Sequence, residues 1–201
     1  MQTIVLASNN AGKVREFNAL LADLAFEVKP QKAFNLDSVE ETGLSFVENA
    51  LLKARHACQH TGLPALADDS GIEVDALQGA PGIYSARFAG ADASDAQNCA
   101  QLLQQLEGVP AAQRGARFQC ILVYMRHATD ATPLICQGTW NGQILTAPQG
   151  DNGFGYDPVF YVPEFNCSAA QLSSVQKNQL SHRGQALRTL HEALKTLGLH
   201  A

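Results

Sequence analysis

Apolar residues in this chain follow two rhythms. Short continuous runs come first in alternation with stripes at helical spacing. Thr3–Ala7 is an unbroken apolar run that reads as a short buried strand. After a polar turn, Val14, Phe17, Leu20, Leu21 and Leu24 share one face of a helix predicted over about Lys13–Leu24. Phe26–Lys29 fits a second strand. Ser45-Phe-Val-Glu48 has the form of a capping box and opens a helix to about His60, with Phe46, Ala50, Ala54 and Ala57 as its buried stripe. Gly62 and Pro64 end that helix. Ile72–Leu77 is strand-like. Ser94 and Gln97 open a further helix to about Leu106, closed by Gly108 and Pro110. Arg117–Met125 and Leu134–Trp140 read as long central strands, and the polar turn around Asp130 predicts an antiparallel hairpin between them. Asn141-Gly142 predicts a hairpin turn into Gln143–Thr146. Val159–Val162 is a last strand. Ser181 caps a final helix whose apolar face is Leu187, Leu190, Leu194 and Leu197, closing at Gly198. Together these elements predict an α/β protein with a long mixed sheet and a cleft between two lobes.

Composition narrows this picture. A chain of 201 residues suits one domain or two closely joined lobes. With 46% hydrophobic and 16% charged residues it is globular in character. Its formal net charge of -5 argues against a broad surface for a nucleic-acid polymer, though not against a small anionic ligand held by a local cluster. No stretch approaches the roughly 20 apolar residues that span a bilayer, and the N-terminus lacks the pattern of a signal peptide. The five cysteines form no Cys-x-x-Cys pair and sit mostly among apolar neighbours, so buried free thiols in a reducing cytoplasm are expected.

Candidate chemistry is spread along the chain. Ser8-Asn-Asn-Ala-Gly-Lys13 joins a strand to a helix start, where exposed N–H groups, the helix dipole and the Lys13 charge favour an anion. The turn is shorter than a Walker loop, and Val14 stands where that loop has its metal-binding hydroxyl. Any metal must therefore find carboxylates elsewhere. Glu40 and Glu41 lie in a polar loop. Asp68-Asp69-Ser70-Gly71 follows an apolar approach, and strand alternation allows only one of its two carboxylates to face a given side. A carboxylate at the end of a buried strand suits a hard cation such as Mg2+. Gly153-Phe-Gly-Tyr-Asp157 frees the backbone to approach a flat ligand, with Phe154 or Tyr156 available to stack. His182 and Arg183 sit in the first turn of the last helix, where cations oppose the helix dipole and a bound anion or nucleobase carbonyl would explain them.

Singly each motif also fits an ordinary polar turn or a solvated face; their order is specific. Ser8–Lys13, Glu40, Phe46-Val-Glu-Asn-Ala50 with Lys53, Ala67–Gly71, Gly79–Arg87, Gly153–Pro158 and Ser181-His-Arg-Gly184 run through nearly the whole chain. This arrangement resembles the inosine triphosphate pyrophosphatase family, bacterial branch (the XTP/dITP diphosphatases). The resemblance implies a single nucleoside triphosphate pyrophosphatase domain over residues 1–201, with an elongated mixed sheet flanked by helices and nucleotide in the cleft between two lobes. It also implies a homodimer, a cytoplasmic role in clearing the nucleotide pool, and Mg2+-dependent hydrolysis of ITP, dITP and XTP to monophosphate and pyrophosphate. By motif, Ser8, Asn9, Asn10, Ala11, Gly12 and Lys13 match the triphosphate loop. Glu40 and Asp69 match the metal ligands, and Asp69 also the general base. Ser70, Phe154, Gly155, Tyr156, Asp157, Lys177, His182 and Arg183 match the remaining substrate contacts, with Lys53 and Arg87 as further phosphate candidates. Two features depart from the family pattern: Ser-Asn-Asn at 8–10 where Thr-Gly-Asn is frequent, and Gln176 where an acid is common. Competing readings are a pyrophosphatase for other modified nucleotides, a phosphatase releasing orthophosphate, and a non-catalytic nucleotide sensor.

Overall fold

The early alternation of strand and helix becomes a pair of parallel crossovers. In a computed structural model of the chain, which describes residues 2–24 and 26–196, β1 (Gln2–Leu6) pairs in parallel with β2 (Phe26–Pro30) on one side and β3 (Ala65–Val74) on the other. The helix α1 (Ala11–Leu20) links β1 to β2, and α2 (Phe46–Thr61) precedes β3. α2 is bounded as its caps dictate: the Ser45 hydroxyl accepts from the Glu48 N–H, and Gly62 takes the left-handed conformation at φ 67°. Next come α3 (Asp95–Gln105), opened by the Ser94/Gln97 capping box, then β4 (Gly115–Met125) and β5 (Leu134–Ile144). β6 (Phe160–Val162), β7 (Cys167–Ser168), α4 (Ser174–Leu180) and α5 (His182–Thr196) complete the order. The strands form one sheet ordered β2-β1-β3-β4-β5-β6-β7. β5–β6 and β6–β7 are antiparallel, so the sheet is mixed as predicted. Leu197 and Gly198, expected in the last helix, lie outside the described residues.

By internal contacts the chain divides into two compact units. The first comprises Met1–Asp69, Cys120–Gly138 and Gln185–Ala201; the second comprises Ser70–Gln119 and Thr139–Gly184. In the first unit, strand alternation sorts the core into two layers. Ile4, Leu6, Leu66, Cys120, Leu122 and Tyr124 pack with Phe17 of α1 and with Leu190 and Leu194 of α5. Val5, Ala65, Ala67, Ile121, Val123 and Met125 pack with Ala50, Ala54 and Ala57 of α2. The second unit has its own core, in which Phe118, Trp140 and Phe160 form an aromatic cluster with Leu102 and Leu106 near. All five cysteines are free, and among the described residues no helix is long and apolar enough to cross a membrane.

Asp68–Gly71 is continuous strand within β3, and the predicted Ile72–Leu77 strand ends at Val74, with Asp75–Leu77 a short helical turn. Val159–Val162 is not the last strand: Val159 closes a short helical turn, and β7 follows β6. Asn141-Gly142 is no hairpin turn, because β5 runs through it to Ile144. A Cβ on Gly142 would collide with the Tyr161 carbonyl and come within 2.6 Å of the Phe160 ring, so this glycine serves close approach to β6. The short helix α4, which carries Lys177, was not anticipated; Ser173 and Gln176 cap it in the same way as Ser94 and Gln97 cap α3.

Candidate active site

The parallel register places the first half of the site. Leu6, the last residue of β1, lies opposite Leu66, so β3 continues past the end of β1 with Asp68 and Asp69. The chain leaving β1 turns through Ser8–Asn10 into α1. This is the carboxyl end of parallel strands at the point where connections diverge to either side, where α/β proteins tend to bind ligands. A cavity of about 230 Å³ opens here, lined by Ser8, Asn9, Lys13, Ser38, Glu41, Lys53, His56 and Asp68 among others.

Alternation separates the two aspartates as expected. Asp68 follows the Leu66 face toward α1, and both its carboxylate oxygens accept from Lys13 Nζ at 2.8 Å. Asp69 follows the Ala65 and Ala67 face toward α2. Its Oδ1 accepts from Lys53 Nζ at 3.0 Å and its Oδ2 from the Asn49 amide at 3.4 Å. Burial pushes the Asp69 carboxyl above the usual carboxylate range, and the Lys53 charge only partly offsets this. Burial likewise disfavours the Lys53 ammonium, but Asp69, Glu41 and Asp68 outweigh it and hold its pKa above the ordinary lysine value.

The turn residues divide their labour. The Asn10 side chain caps α1 by accepting from the Gly12 and Lys13 N–H groups at 2.8 and 3.1 Å. The Asn9 side chain accepts from the Lys32 N–H at 3.1 Å. Ser8, Asn9 and Lys13 line the cavity, whereas Asn10, Ala11 and Gly12 build the helix start beneath it. Glu40 is exposed, and no hydrogen bond or ion pair of its side chain is found among the described residues; Glu41 reaches the cavity and accepts from Lys53 Nζ at 2.8 Å. Asn49, quoted only as part of a motif, proves central. Fully buried, it also accepts from the Gly43 N–H at 2.8 Å and so ties the acidic loop to Asp69. His56 is a second residue missed by motif reading, its Nε2 lying 3.1 Å from the Asp37 carbonyl. Among the described residues no group of three or more His, Cys, Asp or Glu side chains is assembled for a metal.

The second unit gathers the remaining predicted contacts. Phe154 is 61% exposed, with Lys177 Nζ 4.4 Å and the Arg183 guanidinium 5.9 Å from its ring centroid. Asp157 is buried, pairs with Lys177 and accepts from the Phe154 N–H at 2.8 Å. Gly153 permits this closeness, since a Cβ there would strike the Asp157 carboxylate. Tyr156 is buried rather than presented for stacking, and its hydroxyl donates to the Ser85 carbonyl at 2.8 Å. The His182 ring stacks on Phe118 at 4.8 Å. Gly184 lets α5 start against α4, because a Cβ would overlap the Asn178 carbonyl. Ser70 is half-buried on β3. Arg87 is exposed, its guanidinium 5.2 Å from the Tyr84 ring centroid.

A profile of the Ham1 family matches residues 4–193. The chain belongs to the Ham1 family. It is 64% identical over 195 residues to the dITP/XTP pyrophosphatase of Photobacterium profundum, covering 97% of this chain and 99% of that protein. It is 60% identical over 195 residues to the dITP/XTP pyrophosphatase of Vibrio cholerae, covering 97% and 98%. Among solved structures, a HAM1 protein from Coxiella burnetii superposes with a TM-score of 0.95 at 49% identity, covering 98% of this chain and 100% of that one. The nucleoside-triphosphatase / dITP/XTP pyrophosphatase from Mycobacterium abscessus superposes with a TM-score of 0.81 at 40% identity, covering 94% and 98%. The α/β mixed sheet predicted from the hydrophobic pattern is thus the Ham1 fold.

Proposed function

We propose that this Ham1 protein hydrolyses deaminated purine nucleoside triphosphates (ITP, dITP and XTP) to the monophosphate and pyrophosphate, clearing them from the cytoplasmic nucleotide pool. The observation that carries the reading is Asp69, a buried carboxylate held by Asn49 and by Lys53, whose side chain lines the cavity together with Lys13 and Asp68. The names of its relatives support the substrate class.

The residues have distinct tasks in this scheme. Lys13, with Ser8 and Asn9, receives the triphosphate, whose about four negative charges need local cations despite the acidic whole. Asn10, Ala11 and Gly12 fix the helix start that presents Lys13. Asp69 takes the proton of the attacking water; a carboxyl raised by burial is nearer the operating pH than an exposed one and so makes a more effective base. Hard carboxylate oxygens fit Mg2+, which binds through one or two carboxylates, substrate phosphates and waters, and that no larger acid cluster is found among the described residues is therefore no obstacle. Asp69 and Glu40 would hold it, with Glu41 of the same loop as the competing ligand. When bound, Mg2+ supplies charge stabilisation on the phosphoryl oxygens and the leaving pyrophosphate.

The second unit's residues select the nucleoside. Phe154 offers an exposed face for the purine, with Lys177 and Arg183 beside it, and Ser70 touches substrate. The Phe154 and Gly155 N–H groups already donate to Asp157 and Asp95, so they are not the donors to purine O6. His182 and Arg183 are therefore assigned that role. Adenine presents an amino group at this position and would leave those donors unpaired, which disfavours ATP. The active species is proposed to be a homodimer, which light scattering of the purified protein would test. The function itself is tested with a nucleotide panel and separate detection of pyrophosphate and orthophosphate. Pyrophosphate from ITP and dITP with little turnover of ATP supports it. Equal turnover of ATP, orthophosphate as product, or binding of ITP without turnover would overturn it.

A further inference from the structure

One face of α3 carries side chains that bond the backbone of other segments of the second unit. Asp95, Asn98 and Cys99 stand at i, i+3 and i+4, so they project from the same side. Each bonds the backbone of another segment of the second unit. The Gly155 N–H donates to Asp95 Oδ2 at 2.6 Å, and the Cys99 thiol donates to the Gly155 carbonyl at 3.3 Å. Both backbone groups of a single glycine are therefore held by one turn of one helix. Burial pushes the Cys99 thiol up to about 11, so it stays a donor at neutral pH. Asn98 accepts from the Ala89 N–H at 2.9 Å and donates to the Ala86 carbonyl at 3.2 Å, which fixes the segment around Arg87. That segment in turn receives the Tyr156 hydroxyl at the Ser85 carbonyl.

Gly155 lies between Phe154 and Tyr156 and has a left-handed φ of 60°. A glycine in that region has many alternatives open to it, so the backbone needs external bonds to hold one conformation. Phe154 is exposed; its N–H donates to the Asp157 side chain and its carbonyl accepts from the Asp157 N–H at 3.3 Å, both within the loop, whereas the Gly155 N–H and carbonyl are held from outside the loop by Asp95 and Cys99. The bond to Asp95 is short and charge-assisted, the stronger kind of hydrogen bond. We infer that Asp95, seconded by Cys99, is the positioning residue that sets the Phe154–Tyr156 loop and through it the affinity for the purine. This rests on the proposed nucleoside role of Phe154.

The experiment compares Asp95→Ala, Asp95→Asn and Ser94→Ala with wild type in dITP hydrolysis, with thermal unfolding alongside. Asp95→Ala is expected to raise KM for dITP about tenfold, the consequence of losing one charge-assisted bond, with kcat within about twofold. Asp95→Asn keeps an oxygen acceptor for the Gly155 N–H and is expected to restore KM to within about threefold of wild type. Ser94→Ala weakens the start of the same helix without touching the loop, and should lower the melting temperature with KM unchanged. A KM in Asp95→Ala within about twofold of wild type overturns the inference. So does an equal rise in Ser94→Ala, or a failure of Asp95→Asn to recover, because each assigns the effect to the helix and not to the bond. Wild-type protein that does not turn over dITP defeats the functional reading instead, which separates the two failures.

Discussion

Replacing Lys53 by methionine should destabilise the first unit in a way that depends on pH and is relieved by Mg2+. Lys53 Nζ lies 2.8 Å from Glu41 and 3.0 Å from Asp69, and the three side chains are only 13%, 30% and 12% exposed. Removing one partner of a fully buried pair costs about 3–5 kcal/mol. Two features reduce the figure here: Glu41 retains some solvent, and Asp69 can escape by protonating, since burial already raises its pKa. We expect about 2–3 kcal/mol near neutral pH in chelator, or roughly 4–12 °C in melting temperature for a chain of this size. The sign with pH follows from Asp69. Its folded pKa lies above the unfolded value, so ionisation in the fold becomes costly as pH rises through the folded value, and without Lys53 the cost is larger. The deficit should be small at about pH 4 and complete near neutrality, and added Mg2+ should restore part of it by supplying the missing charge. Differential scanning calorimetry at both pH values, with and without Mg2+, measures this. A melting temperature within about 1 °C of wild type near neutrality in chelator, or a deficit equal at both pH values, would show that Lys53 does not offset the buried Asp69 charge.

Other perturbations follow from single contacts. Asp130 accepts from the Arg126 backbone and guanidinium and from the Thr132 N–H, and these bonds hold its carboxyl far below the usual range. Its contribution is present above the ordinary aspartate pKa and lost as pH falls toward the depressed value, so Asp130→Asn should flatten the acid limb of the stability profile measured by urea titration. Gly142→Ala should lower stability by about 1–3 kcal/mol, because the added methyl meets Tyr161 and Phe160, and a denaturation midpoint equal to wild type would return Asn141-Gly142 to an unconstrained turn. Glu40→Gln and Glu41→Gln separate the two acids: the metal ligand raises the Mg2+ concentration needed for half-maximal activity about tenfold or more. The acid that serves only Lys53 mainly lowers the melting temperature.

Much of the fold is legible because its signals are local. The Ser45–Glu48 and Ser94–Gln97 pairs mark helix starts within a residue, and the apolar runs at Thr3–Ala7 and Arg117–Met125 mark β1 and β4. Alternation alone also parts Asp68 from Asp69. What escapes is decided by neighbours distant in sequence. Asn141-Gly142 carries a strong turn signal, yet its glycine answers to the Phe160 ring. Asp68–Gly71 has a polar, turn-like composition, but Lys13, Lys53 and Asn49 supply partners that make a buried polar strand tolerable. Motif order points to Glu40, while only the loop's path shows Glu41 at the cavity. Asp95 has no local mark beyond helix N-terminal preference, since its partner Gly155 lies in another segment.

In the proposed mechanism Asp69 activates water for attack on a deaminated purine triphosphate. Pyrophosphate release from ITP by wild type and Asp69→Asn, under saturating Mg2+, tests it directly. Robust wild-type release is expected, with a loss of about 100-fold or more in kcat in the variant, the scale of a lost general base. A variant that retains wild-type kcat would contradict it.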